Sequence, residues 1–272
     1  MERFLQAISG QLDYTRDLLL AALIMARTMA MIVLTPFFGG KLAPNTVKVG
    51  FGVLLTVLVW PFARRAVGDD IPVGPIMFLG LMLKEIFIGF AIGFVNAHIF
   101  YAMEMAGRII DTVRGSSMAE VQDPHSKTRA TPFGDLYSQL MLIIFVMVGG
   151  IAIFMEAWFM AFAELPINEG LPMGANMFEL VDFMMEVTAE IITIAAILAA
   201  PIVAATLISD IVFGILNRVA PQLNAYFMSM PVKAMGGVIM AFIILEPFVV
   251  RLESFVLWTL EAVEDTLRLL QG

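Results

Sequence analysis

The sequence predicts an all-α protein threaded repeatedly through a membrane, and three observations carry that prediction. Hydrophobic residues fill 60% of the 272 positions and charged residues only 15%, whereas soluble domains stand nearer half and a quarter. The apolar excess is gathered into long runs, as a bilayer demands and a soluble core does not; mean hydropathy is +0.89. The ten-residue alternation of an outer-membrane barrel is absent. Because lipid cannot satisfy an open sheet edge, helix is the state left for these runs.

About six apolar regions are expected, at 18–38, 47–63 (closed by Arg64 and Arg65), 76–103, 136–163, 183–216 (with Pro201 inside) and 232–250, the last extending toward 257. A spanning helix needs about 20 apolar residues, so the third, fourth and fifth are long enough to tilt, kink or project. The first run is long and follows a mixed-charge stretch (Glu2, Arg3, Asp13, Arg16, Asp17), which reads as a retained span and not a cleavable leader. Lysines and arginines set the orientation. The segment 165–182 has neither and is placed outside. Alternation then puts Lys41, Lys48, Arg108 to Lys127, Arg218 and Lys233 on the cytoplasmic side, and both termini outside, with Arg64 and Arg65 against the pattern. Over 252–270, Val256, Leu260, Val263, Leu267 and Leu270 share one helical face. That is an amphipathic helix, interfacial or packed on a partner.

Several function classes drop out. A net charge of −8 leaves no basic footprint for nucleic acid. With no cysteine, disulfides, thiolate metal sites and cysteine nucleophiles are excluded. His98 and His125 are the only histidines, and no zinc-binding helix motif, nucleophile elbow or phosphate-binding glycine loop occurs. The chain reads as a non-enzyme with no cofactor and no metal.

The informative residues are ionic and small ones inside apolar runs. Lys84 and Glu85 sit within the third run, where a charge at mid-bilayer costs about 2.5–3.5 kcal/mol. Adjacent positions on a helix point in different directions, so each is expected to find its partner on another helix or in a polar cavity. Arg27, Glu156, Glu186, Glu190 and Asp210 pose the same question. Interfacial depth, interhelical ion pairs and a proton pathway are the readings open to them. Gly89, Gly93 and Ala97, and again Ala196, Ala200 and Ala204, recur at four-residue spacing and allow close helix approach in lipid. The stretch from Ala106 to Met118 leaves an apolar helix, gains charges, turns small and polar at Gly115-Ser116-Ser117, and runs on to the turn signal Asp123-Pro124. It reads as an exposed loop or as one folded inward to close a passage. Pro221-Gln222-Leu223-Asn224 and Ser229-Met230-Pro231-Val232-Lys233 are expected to join the last two spans as a polar hairpin.

In order and spacing, these features resemble the FliR/SctT family of type III export-apparatus proteins. The likeness covers nearly the whole chain. It rests on Lys84-Glu85 with Gly89 and Gly93, Ala106-Gly107 with Asp111 and Gly115-Ser116, Asp123-Pro124, and Arg218 to Asn224 followed by Pro231-Val232-Lys233. The run from Ala225 to Lys233 is nearer the injectisome branch than the flagellar one.

The resemblance implies a subunit that joins two other small export-apparatus membrane proteins in a helical gate in the bacterial inner membrane, partly raised above the bilayer on its periplasmic side. A larger export-gate protein and a switch protein would be further partners, and unfolded secreted polypeptides would pass through. It implies an N-terminal region, 1–180, with a plug loop near 106–126, and a C-terminal hairpin and tail, 181–272. Arg114, Gly115, Ser116, Ser117 and Met118 would plug the passage. Lys84, Glu85, Gly89 and Gly93 would anchor packing, and Pro221, Gln222, Asn224, Pro231 and Lys233 would shape a cytoplasmic hairpin. Two rivals remain: a secondary transporter of small solutes, which calls for two related halves that the sequence lacks, and a scaffold without a pore.

Overall fold

A computed structural model describes residues 14–38, 43–67, 74–115, 131–170 and 176–271, and all regular structure among them is helical. In chain order the helices are α1 (Tyr14–Leu34), a single 3-10 turn (Pro36–Phe38), α2 (Asn45–Val67), α3 (Pro75–Val113), α4 (Pro132–Met147), α5 (Gly150–Glu164), α6 (Asn176–Val219), α7 (Ala225–Ile243) and α8 (Leu245–Gln271). Helices α1, α2, α3, α6 and α7 are each long and apolar enough to cross a membrane, and the bent pair α4/α5 passes that test as one further broken span.

The elements depart from the expected runs in four places. The region 136–163 is two helices: the chain turns at Val148-Gly149, with Gly149 at φ +82°, a left-handed conformation that glycine adopts at no steric cost. The third region runs ten residues past its apolar end, to Val113. The Glu104–Arg108 pair at i,i+4 continues the helix where hydropathy falls. The region 232–250 divides at Ile244, because Pro247 has no N–H to bond the Ile243 carbonyl. Finally, Pro231 and Lys233 are not in the connecting turn but inside α7, which begins at Ala225. Proline inside a membrane helix is tolerated where neighbours or water satisfy the freed carbonyl, and Pro61 in α2 and Pro201 in α6 are further cases.

The chain forms two compact units. Helices α1, α2 and α5 lie in the first. Helices α4 and α7 lie in the second, while α3, α6 and α8 each contribute a length to both. In the first unit α1 packs on α2 and α2 on α5, over a core of Leu20, Leu23, Ile24, Ile88, Ile92, Phe154 and Trp158. In the second, Phe100 meets Phe145 edge-on at 5.4 Å, and Tyr137 lies 4.7 Å from Phe248. The expected amphipathic face of α8 is present, but Leu252, Val256, Leu260, Val263, Leu267 and Leu270 are buried within the chain. That face is therefore satisfied internally and not held open for an interface or a partner.

Helix α7 is the opposite case. Only 11% of its apolar window is buried, and Tyr226, Phe227, Met235, Val238 and Phe242 stand exposed. A helix this apolar and this bare needs lipid or protein around it.

Candidate functional site

Two charged clusters stand out, one in each unit. In the first unit Arg27 of α1 and Glu85 of α3 are both 0% exposed. The guanidinium takes the carboxylate in two-point fashion, Nε donating to Oε2 at 2.5 Å and Nη2 to Oε1 at 3.1 Å. Its remaining donors reach the end of α5, Nη1 to the Ala161 carbonyl at 2.7 Å and Nη2 to that of Leu165 at 2.9 Å. Lys84, 6% exposed, continues the pattern. Its Nζ donates to the carbonyls of Pro166 (2.6 Å), Ile167 (3.3 Å) and Glu169 (2.8 Å). The last carbonyls of a helix lack intrahelical donors and carry the negative end of the dipole. Two cations thus cap α5 and the turn after it, and Glu85 balances one of them.

Contrary to the expectation from their adjacency, Lys84 and Glu85 do pair, at 2.9 Å. The four-carbon lysine stem carries its ammonium round the helix to a carboxylate whose own stem points elsewhere. Glu85 also has its partner on another helix, Arg27. Gly89 and Gly93 lie one and two turns further along α3, against the α1 backbone. A Cβ on Gly89 would sit 2.9 Å from the Arg27 carbonyl carbon, and one on Gly93 3.1 Å from the Met31 Cα. Glycine there lets α3 lie close enough for Glu85 to reach Arg27.

The second cluster joins α3, α4 and α7. Asp111, buried near the end of α3, accepts from the backbone N–H of Phe133 at 3.0 Å. Thr131, the N-cap residue of α4, makes no side-chain cap bond, so Asp111 supplies the missing acceptor and a charge at the positive end of the dipole. A Cβ on Gly107 would lie 2.5 Å from the Phe133 carbonyl carbon and closer still to Gly134, so the two helices cross glycine on glycine. Arg114 lies over the Phe133 ring at 4.4 Å, stands 3.9 Å from Asp111, and donates through Nη2 to the Ala234 carbonyl of α7. Burial pulls the proton affinity of Arg114 below the ordinary arginine range, and Asp111 opposes that; the group stays a cation. Gly237, one turn along α7, is where the arginine stem rests: a Cβ there would overlap Nε and come within 2.5 Å of Cδ.

Beside this contact Lys233 of α7 bridges to Asp210 of α6. Asp210 precedes Ala220 by ten residues and Lys233 follows Asn224 by nine, which puts the bridge roughly 14 Å from the turn along each helix. Pro221, Gln222 and Asn224 form the exposed tip, where Asn224 Oδ1 accepts from the Phe227 N–H at 3.4 Å.

Gly115, at φ +78°, ends the described stretch after α3. Ser116, Ser117, Met118, Asp123, Pro124 and His125 lie outside the described residues. Glu156 and Glu186 are exposed, as are Ala196, Ala200 and Ala204, so that second stripe of small residues is not a buried packing face among the described residues. Sequence reasoning missed Gly134, Gly237 and the pairing of Asp210 with Lys233. The available signal for that pair was their near-equal distance from the Pro221–Asn224 turn.

Comparison with known proteins adds the following. Residues 18–257 match the family described as bacterial export proteins, family 1. Over 224 residues the chain is 31% identical to the Yop proteins translocation protein T of Yersinia pestis, covering 80% of this chain and 83% of that one. Over 226 residues it is 29% identical to the secretion system apparatus protein SsaT of Salmonella typhimurium, with the same coverage of 80% and 83%. Over 214 residues it is 28% identical to the flagellar biosynthetic protein FliR of Escherichia coli, covering 79% of each.

Proposed function

The chain belongs to the bacterial export proteins of family 1, and on that footing we propose that it is a subunit of a type III protein-export gate that helps form and seal a passage for unfolded polypeptides. The observation that carries this reading is the extent of the match. It runs over 18–257, nearly the whole described chain, and the relatives bear names of translocation, secretion and flagellar assembly. The exposed apolar length of α7 supports it, since this helix has little covering within the chain. The gate sits in the bacterial inner membrane, and other small export-apparatus membrane proteins cover α7 and the C-terminal half of α6, where Leu207, Ile208, Ile211, Val212 and Ile215 are exposed. The larger export-gate protein and the switch protein meet the assembled complex. The injectisome branch is favoured by the relatives at 31% and 29% identity, against 28% for the flagellar one.

In this reading the segments 1–180 and 181–272 correspond to the two kinds of partner subunit fused in one chain, although both compact units draw on each segment. Arg27, Lys84 and Glu85, with Gly89 and Gly93, fix the frame. Pro221, Gln222 and Asn224 make the tip of the hairpin, and Pro231 and Lys233 shape its second arm. The segment from Arg114 to Met118 seals the passage. Deletion of Gly115-Ser116-Ser117 tests this. The assembled gate should then leak small solutes in cells, measured by dye or ion entry. Full assembly with no added leak would end the sealing role. Failure of the tagged chain to co-purify with other small, apolar membrane proteins would end the gate reading itself.

A further inference from the structure

Arg114 stands where three helices meet, and each of its contacts is of a reversible kind. It caps nothing on its own helix. Its ring contact is with Phe133 at the start of α4, and its hydrogen bond goes to Ala234, in the middle of α7. A mid-helix carbonyl already serves the helix ladder, so the arginine takes only its second lone pair. The Nε of Arg114 is buried and donates to no group among the described residues, because the stem lies flat on Gly237. The site therefore exists only because position 237 has no side chain. Gly236, beside it on the same helix, faces open space: a Cβ there meets nothing within 4 Å.

The contacts at Gly89 and Gly107 are with backbone, whereas Gly52 meets the Met29 side chain and Gly134 that of Thr131. Gly89 faces the main chain of α1, and Gly107 faces that of α4, so an added methyl there must push whole helices apart. At Gly237 the neighbouring atoms are the flexible part of a long side chain, which can leave.

From this geometry we propose that Arg114 is a latch, seated on Gly237 and the Ala234 carbonyl, that ties the α3–α4 junction to α7. Asp111 is its positioning residue. With the arginine seated, the junction and the α7 arm move as one body. With it unseated, the junction stays closed through Asp111 and the Gly107–Gly134 crossing, and α7 moves separately, retained by the Lys233–Asp210 bridge to α6. The latch belongs to the folded chain and does not depend on what passes the gate.

The absence of native cysteine makes the test direct. Spin labels on Thr112→Cys and Val238→Cys, both exposed positions, report the distance from α3 to α7 in the purified full chain in lipid nanodiscs. The latch predicts one narrow distance distribution in the parent, and a second, longer component in Gly237→Ala and in Arg114→Ala. Gly236→Ala adds the same methyl and the same gain in helix propensity, and should leave the distribution unchanged. Arg114→Lys loses the planar fork and should fall between parent and alanine variant. An unchanged distribution in Gly237→Ala overturns the proposal, and so does a Gly236→Ala variant that broadens as much. If Arg114→Ala does not fold, the matched glycine pair still decides.

Discussion

The two charged clusters solve one problem in opposite ways. Around Arg27 and Glu85 both charges are fully buried, the contact is two-pointed, and the guanidinium's other hydrogen bonds end on backbone carbonyls of the α5 end. Around Arg114 and Lys233 the contacts end on side chains or on a shared carbonyl, and Asp210 remains 47% exposed. The glycines follow suit, since Gly89 meets main chain and Gly237 meets the arginine stem. The first cluster has no room to rearrange without unfolding something. The second can exchange partners at small cost. A chain whose role requires a fixed frame and a movable arm has reason to build both.

The largest effect is expected where the burial is deepest. Glu85→Gln leaves Arg27 and Lys84 together in the interior without the buried carboxylate that both contact. Breaking a buried pair from one side costs about 3–5 kcal/mol. The unfolding midpoint in mixed micelles should drop accordingly, with lower steady-state levels in the membrane. Glu253→Gln, on the exposed face of α8, is the matched control. Equal losses for the two would mean the buried cluster contributes no more than a surface charge.

Gly89→Ala comes next. Alanine is the better helix former by about 1 kcal/mol, yet its methyl would run into the Arg27 main chain. Overpacking of this kind costs about 1–3 kcal/mol, so the net change should be destabilising. Gly80→Ala, on the same helix with nothing within 4 Å, should be neutral or stabilising. A shared sign for the two substitutions would show that α1 and α3 part easily.

Smaller still is Asp111→Ala, which takes away the external cap of α4. A lost cap costs about 0.5–2 kcal/mol. The loss should be local, read as faster hydrogen exchange at the Phe133 amide and its neighbours with the α5 amides unchanged. Asp111→Asn keeps an acceptor and should recover part of the protection. If exchange at Phe133 stays at the parent rate in the alanine variant, α4 is capped by something other than Asp111.

The difference between the clusters also marks what the residues could reveal in advance. The apolar runs placed the helices, because lipid leaves a backbone few alternatives. They could not place the break at Val148-Gly149, since no charge or proline interrupts the run there and only a glycine's φ makes the turn. They ended α3 too early, because hydropathy stops at Glu104 while i,i+4 pairing carries the helix on. They took Pro231 for an end, where Asn224 already starts α7. Lys84 and Glu85 were visible as costly charges, but the reach of a lysine stem is not a matter of helical phase. The Arg114 seat was hidden for a different reason. It depends on which of two adjacent glycines faces the α3–α4 junction, and that is a fact of packing alone.

The weakest expected effect tests whether the second cluster is as yielding as its geometry says. Asp210 and Lys233 form an ion pair whose carboxylate is half exposed, and pairs of that kind contribute about 0.2–1 kcal/mol. Asp210→Asn and Lys233→Met should each cost no more than that, and the double variant should cost less than the sum. The charge-swapped pair, Asp210→Lys with Lys233→Asp, should restore most of the coupling if the two helices can shift to suit the exchanged side chains. A coupling of several kcal/mol in that double-mutant cycle, in the range set for Glu85, would place the bridge among the rigid contacts. The hairpin arm would then be fixed in the way that α1 and α3 are, and Arg114 would have nothing left to release.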